Sequence, residues 1–344
     1  MKPHTGLEEE LHALADLATP MAIRVAATLR LADHIGEGTD TTEQIADATS
    51  TDSGTLDRLL RHLCSVGVLR RLEPCRYAIT EKGDCLRDDH PSGLRARLDT
   101  EGAEGHADLS LLELGHSVRT GEPAFDKRYG APFWEHLAED PELADGFHQR
   151  MGAAVQREAE AIATSYDWSS LDRVVDVGGG DGTLLTALLR AHPRLRGTVL
   201  DLPGTAERAR NVLAGAGVAD RSEFVAGSFF DPLPTGADGY VLSAIIHNWG
   251  DTESVTLLRR CAEAAGECGR VFVIERIGPD GTAASTGTDL RMIAYFGGRE
   301  RDEVEISDLA DLSGLRKVAR HPASACTILE FAPNRPRPNH VGDK

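Results

Sequence analysis

The sequence predicts an α/β protein in two parts: a mostly helical front module, and a larger C-terminal domain built on a parallel sheet with helices on both faces. Three observations predict it. Short apolar runs alternate with longer helical stretches throughout the second half, the rhythm of a parallel sheet covered on both sides. The first of these runs ends in a glycine-rich turn that leads straight into a helix. The chain has 344 residues, and single cores stop growing near ~250–300 residues, so one large domain and one smaller one are expected.

In chain order, residues 20–35 place Ile23, Ala26, Ala27, Leu31 and Ile35 on one face of a single amphipathic helix, ended by Gly36 and Gly38. Thr41 and Gln44 form a T-x-x-Q capping box for a short helix. Leu56, Leu59, Leu60 and Leu63 follow at helical spacing until Gly67. VLRRL, Glu73-Pro74 and CRYAIT then read as a hairpin, which gives residues 20–80 the order of a winged helix-turn-helix. Residues 100–165 are helical in pattern, with a loop at Gly121, Pro123, Gly130 and Pro132. Phe133, Trp134, Phe147 and Met151 fall there, either as core or as the roof of a pocket for a flat apolar ligand.

Strands are expected at RVVDV (173–177), TVLDL (198–202), SEFVA (222–226), GYVLS (239–243) and RVFVIE (270–275), with a late added strand at CTILEFA (326–332). The tail beyond residue 334 is too polar and proline-rich to fold.

Composition excludes several function classes. Basic residues number 37 against 55 acidic ones, and the net charge of -18 repels phosphate backbones and anionic lipid. Nucleic acid and membrane are therefore not expected partners, and the Arg58, Arg61 and His62 of the second front-module helix lack the wider basic stripe of a DNA reader. Six scattered cysteines, no apolar leader and no bilayer-length apolar stretch point to reduced thiols in the cytoplasm. No clustered His/Cys spacing suggests a metal.

The chemistry concentrates where the sheet begins. In DVGGGDG (176–182), glycines let backbone approach a ligand closely and leave helix N-terminal N–H groups free. Counted from Gly178 or Gly180, the G-x-G-x-x-G dinucleotide fingerprint fails, because Thr183 or Leu185 stands at its last position. G-x-G-x-G suits a smaller group, such as the carboxylate end of an amino acid. Asp201, ending the second strand, can accept hydrogen bonds from both hydroxyls of a ribose. An adenosine without phosphates fits both features.

Together with VLDLP (199–203), GSFFDPLP (227–234), IIHNWGD (245–251) and DLRMIAYFGGRERDEVE (289–305), this motif resembles the S-adenosylmethionine-dependent O-methyltransferases of the plant caffeate type. The bacterial phenol and polyketide methyltransferases of natural-product biosynthesis resemble it more closely still. The resemblance covers nearly the whole chain. It implies a Rossmann-like methyltransferase domain behind an N-terminal winged-helix dimerisation domain, hence a homodimer. The divisions expected are 1–100 for dimerisation, 101–165 for a helical linker lining the acceptor pocket, 166–334 for the catalytic domain and 335–344 for a disordered tail.

By the same resemblance, Gly178 and Gly180 contact the methionine part of S-adenosylmethionine, Asp201 the ribose and Phe229 the adenine, with Leu202, Ser228 and Ser243 also in the donor site. Ser228 and Asn248 stand where the family usually has Asp. The catalytic base corresponds to His247, flanked by Glu275 and Glu300, one of which could hold the imidazole N–H. An imidazole of pKa about 6.5 can take the proton of a phenol of pKa about 10 as its oxygen attacks. Trp134, Phe147, Met151, Met292 and Phe296 are the expected acceptor-pocket walls. The implied reaction is methyl transfer to a hydroxyl of a phenolic or polyketide-derived aromatic, releasing S-adenosylhomocysteine. A second reading keeps the bound S-adenosylmethionine but has the chain catalyse hydroxylation, decarboxylation or a pericyclic reaction. A third, a winged-helix transcriptional regulator, is disfavoured by charge.

Overall fold

The structure is a computed structural model that describes residues 5–278, 281–282 and 285–334. The expectation for the tail at 335–344 lies outside the described residues. Two compact units divide between Leu109 and Ser110, not after residue 100. Side chains explain the difference: Thr28 Oγ1 accepts the Thr100 N–H at 2.8 Å, and Arg24 pairs with Asp108, so the helix Ala103–Leu109 belongs with the front unit.

In that unit the helix expected over 20–35 is two helices, Ala18–Thr28 and Leu31–Gly36. Arg30 enters the left-handed region at φ 52 between them, its guanidinium held by Asp33 and Asp88. The apolar face survives the break, because Ala26, Ala27, Leu31 and Ile35 still pack in one core with Leu56, Leu60 and Leu63. Thr41 and Gln44 form the expected capping box of Thr42–Thr49, and the next helix runs Ser53–Ser65 from an Asp52 cap. Strands β1 (Leu69–Glu73) and β2 (Arg76–Ile79) pair antiparallel across a turn with Cys75 at φ 61.

The second unit is a seven-stranded sheet in the order β5-β4-β3-β6-β7-β9-β8. Its strands are β3 (Arg173–Val177), β4 (Arg196–Asp201), β5 (Ser222–Ala226), β6 (Gly239–Ser243), β7 (Arg270–Glu275), β8 (Leu315–Ala323) and β9 (Cys326–Pro333). β3 to β7 pair in parallel. The sheet is nonetheless mixed, since β9 runs antiparallel between β7 and β8. β8 was not anticipated, because LRKVARHPA carries four basic side chains and a proline and lies at the sheet edge, where Pro and charge are tolerated.

Separate apolar clusters cover the two faces of the sheet. One joins Leu257, Leu258 and Cys261 to Ile306 and Leu309; the other packs Ile162, Ala163 and Trp168 against Leu184, Leu185 and Leu188. The helix Pro141–Ser165 is thus seated on the second unit. Strand order reverses between β3 and β6, and open α/β sheets bind ligands at the carboxyl ends beside such a switch. Val177, Asp201, Ser243 and Glu275 end there. No described helix is long and apolar enough to cross a membrane.

Candidate active site

The turn after β3 is rich in glycine because its backbone repeatedly takes positive φ, at Gly178, Gly180 and Gly182. Gly178 has φ +74, and a Cβ there would lie 2.6 Å from Ile245 Cδ1 and 3.4 Å from Phe229 Cε1. Gly180 has φ +56 and faces open space, and Gly182 caps the helix Thr183–Ala191. Asp201 ties this turn to the end of β4: Oδ2 accepts the Gly180 N–H at 2.7 Å and Oδ1 the Leu202 N–H at 2.6 Å. A carboxylate has about four lone-pair sites, so each oxygen keeps one for a further donor. Burial raises the Asp201 pKa, and the two backbone N–H groups partly oppose it.

Two more acids stand near this rim. Asp176 is buried beneath Gly179, its Oδ2 has no hydrogen-bond partner, and its pKa is pushed up to about 7 by burial and by the charges of Asp201 and Asp181. Asp181 accepts the Thr183 hydroxyl at 2.6 Å and faces Arg208 at 3.6 Å. Half-buried His148, on the helix Pro141–Ser165, has its pKa lowered by burial against the opposing charge of Asp201. Ser228 Oγ accepts the Phe230 N–H at 3.2 Å, a local turn that sets Phe229 edge-on to Trp249 with 5.8 Å between centroids.

Beyond β6, Ala244 takes φ +55 and the chain makes the single turn Ile246–Asn248. Its centre is His247, whose Nδ1 lies 2.7 Å from Glu275 Oε2. Glu275, at the end of β7 and 6% exposed, also accepts the Ile246 N–H on Oε1 at 2.9 Å. As an acceptor it fixes the proton on Nδ1, leaving Nε2 with its lone pair. Burial disfavours the imidazolium, but the charge and hydrogen bond of Glu275, helped by Glu300, outweigh it and bring the His247 pKa above the ordinary value. Glu300 is itself raised, by burial first and by the nearby carboxylates of Glu275 and Asp289. Its N–H donates to Asp289 Oδ1 at 2.8 Å. Asn248 donates through Nδ2 to Ala244 O at 3.3 Å, so an amide serves where the family usually has an acid.

The expected pocket walls gather only in part. Trp134 stacks on Phe296 at 5.4 Å and 10°, and Phe147 meets Trp134 edge-on at 5.8 Å. Phe133 joins both Phe147 and Phe296. Met292 is buried on the helix Thr286–Phe296, whereas Met151, one turn beyond Phe147, is 36% exposed.

A family model for the O-methyltransferase domain matches residues 111–316, and one for the O-methyltransferase dimerisation domain matches residues 11–89. The chain belongs to the O-methyltransferase family. This O-methyltransferase is 53% identical to the 2,7-dihydroxy-5-methyl-1-naphthoate 7-O-methyltransferase of Streptomyces carzinostaticus, over 93% of this chain and 96% of that one. It is also 46% identical to the aclacinomycin 10-hydroxylase of Streptomyces purpurascens, over 94% and 88% of the two chains. Among solved structures, it superposes with TM-score 0.90 and 52% identity on an O-methyltransferase from neocarzinostatin biosynthesis in complex with S-adenosylmethionine and 2-hydroxy-5-methyl naphthoic acid, covering 94% of this chain and 98% of that one.

Sequence reasoning gave no role to Asp176, Asp181, His148 or Arg301 of this O-methyltransferase, although three of the four lie inside segments it singled out. An acid beginning a glycine motif, DVGGGDG, was the available signal for Asp176. His148 had none beyond its place next to Phe147.

Proposed function

We propose that this O-methyltransferase transfers a methyl group from S-adenosylmethionine to a hydroxyl of a phenolic or polyketide-derived aromatic acceptor, with His247 as general base. The observation that carries the reading is the His247–Glu275 pair at 2.7 Å, set at the carboxyl edge of the sheet beside the glycine rim. When bound, S-adenosylmethionine supplies a methyl group already activated on a sulfonium sulfur.

The residues of the rim fit that group. Asp201 keeps a lone pair on each oxygen, as the two hydroxyls of a ribose require. Gly180 faces open space where a methionine tail would pass. The carboxylates of Asp181 and Asp201 favour a cation such as a sulfonium or an ammonium, and the repulsion that helps push the buried Asp176 up to about 7 would be relieved by one. Phe229 offers a flat apolar face for adenine.

On the acceptor side, Nε2 of His247 is placed to take the hydroxyl proton and Glu275 to stabilise the resulting imidazolium; the bound donor would supply the methyl carbon, its sulfur keeping the bonding pair and leaving as S-adenosylhomocysteine. The stacked Trp134 and Phe296, with Phe147 and Met292, supply the apolar wall for a flat ring. The naphthoic acid relative supports an aromatic acceptor of this size.

The charges facing His247 are Glu275 and Arg276 at the end of β7 and Glu300 from the loop after Phe296. A base must be neutral to act, so kcat/KM rises with pH through the His247 pKa, which lies above about 6.5. Glu275→Gln removes the charge that lifts it. The rising limb of the pH profile is expected to move to lower pH while maximal kcat falls about tenfold; a limb that stays in place contradicts the pairing.

The hydroxylase relative favours a second reading, in which bound S-adenosylmethionine is not consumed. One assay separates the two. Purified protein is given S-adenosylmethionine and a panel of hydroxynaphthoates and related polycyclic phenols, in air with a thiol reductant, so that dioxygen and two electrons are at hand for oxygen insertion. Methyl transfer predicts acceptor-dependent release of S-adenosylhomocysteine and a product heavier by one CH2. A product heavier by one oxygen, with the donor unspent, establishes the hydroxylation reading instead.

Homodimerisation belongs to the same proposal. The helix Thr5–Ala15 exposes Leu7, Leu11 and Leu14 along one side, within and beside the segment matched by the dimerisation model. Sedimentation is expected to show a dimer at micromolar concentration; a monomer there contradicts this part.

A further inference from the structure

We propose that Arg301 is a positioning residue for the general base: its guanidinium grips the backbone on both sides of His247 and fixes the turn from which the imidazole projects. The proposal rests on the reading of His247 as the base.

Arg301 lies in the run GGRERDEVE, yet only 2% of its side chain is exposed. Nη1 donates to Ile246 O at 3.0 Å, and Nη2 to Trp249 O at 2.8 Å. Nε and Nη2 both reach Asp251 Oδ1, at 3.1 and 2.7 Å. The residues before and after the base are thus pinned from one side by Arg301, while Glu275 receives the Ile246 N–H from the other. The segment that carries Arg301 also presses on the turn backbone to backbone. A Cβ at Gly298 would lie 2.2 Å from His247 O, so a glycine is required there for the approach.

Energetics favour geometry over bulk stability as the reason for this arrangement. A buried guanidinium paid for by a half-exposed carboxylate is a poor stabiliser, since an apolar side chain of similar volume often does as well or better. The turn, by contrast, has something to relax. Ala244 sits at φ +55 without being glycine, a conformation that costs about 1 kcal/mol or more and persists only when its surroundings hold it. Released carbonyls at Ile246 and Trp249 would let the imidazole swing off Glu275. Arg301 is also adjacent to Glu300, so the same grip sets the distance of the second carboxylate from the ring.

The test is a double-mutant cycle of Arg301→Met and His247→Ala in the full-length protein, reading kcat, pH profile and S-adenosylmethionine dissociation constant. Arg301→Met alone is expected to lower kcat roughly thirtyfold, with donor affinity within about twofold. The rising pH limb should move down, because a loosened Nδ1–H bond to Glu275 lifts the imidazole pKa less, while Glu300 and Arg276, the other charges facing the ring, stay in place. In the His247→Ala background, the same substitution should cost under about threefold. An equal loss in both backgrounds overturns the proposal, as does weakened donor binding with kcat unchanged. Full turnover in His247→Ala alone refutes the base assignment itself and is read separately. Should Arg301→Met fail to fold, Arg301→Lys and the exposed Asp251→Asn carry the cycle: both should show the kcat loss and pH shift in smaller measure, and unaltered values in both overturn the proposal.

Discussion

His247→Ala is expected to lower turnover at pH 7 by about 10²- to 10³-fold while the dissociation constant of S-adenosylmethionine stays put. The ceiling comes from the acceptor. A phenol of pKa about 10 is ionised to roughly one part in a thousand at pH 7, so without a base the reaction must wait for that fraction. Two consequences follow from the same arithmetic. Activity of the variant should climb about tenfold per pH unit up to the acceptor's own pKa, and acceptors with more acidic hydroxyls should lose less. Turnover that is unchanged, or a loss that high pH does not restore, removes His247 from the role of base.

The second large effect is on donor binding. Asp201→Ala deletes the carboxylate that accepts the Gly180 and Leu202 N–H groups and keeps a lone pair on each oxygen for a ribose. Hydrogen bonds to a charged group are worth about 1.5–3 kcal/mol, so the dissociation constant should rise roughly 10- to 150-fold. At saturating donor, kcat should fall far less than in His247→Ala. Calorimetric titration of S-adenosylmethionine measures this directly, and an unaltered affinity contradicts the ribose assignment. The two variants therefore separate binding from chemistry.

An interaction is legible in the sequence when it is local. Gly178, Gly180 and Asp201 were legible because a glycine turn between strand and helix, and an acid at the next strand's end, are constraints written within a few residues of each other. The five parallel strands were legible for a similar reason, as continuous apolar runs. The helix break at Arg30 was not, because the apolar face of Ala27, Leu31 and Ile35 continues across it and only one residue changes backbone state. Edge strand β8 hid behind its own charges.

Arg301 shows the limit most clearly. In a run of alternating charges it reads as a solvated surface residue, and only the fold brings it beneath Ile246 and Trp249, more than fifty positions away from either in sequence. Phe296 and Trp134 likewise had a shared destination but no shared segment, and Met151, named with them, is exposed where they are half-buried.

The glycine rim and His247 are proposed to serve one reaction centre, with the donor on one side and an aromatic hydroxyl on the other. A crystal structure of this protein with S-adenosylhomocysteine and a hydroxynaphthoic acid tests it most directly. Ribose hydroxyls are expected on the Asp201 carboxylate and an acceptor hydroxyl within about 3 Å of His247 Nε2. An acceptor whose hydroxyls all point away from His247, with the thioether on the far side of the ring, would contradict it.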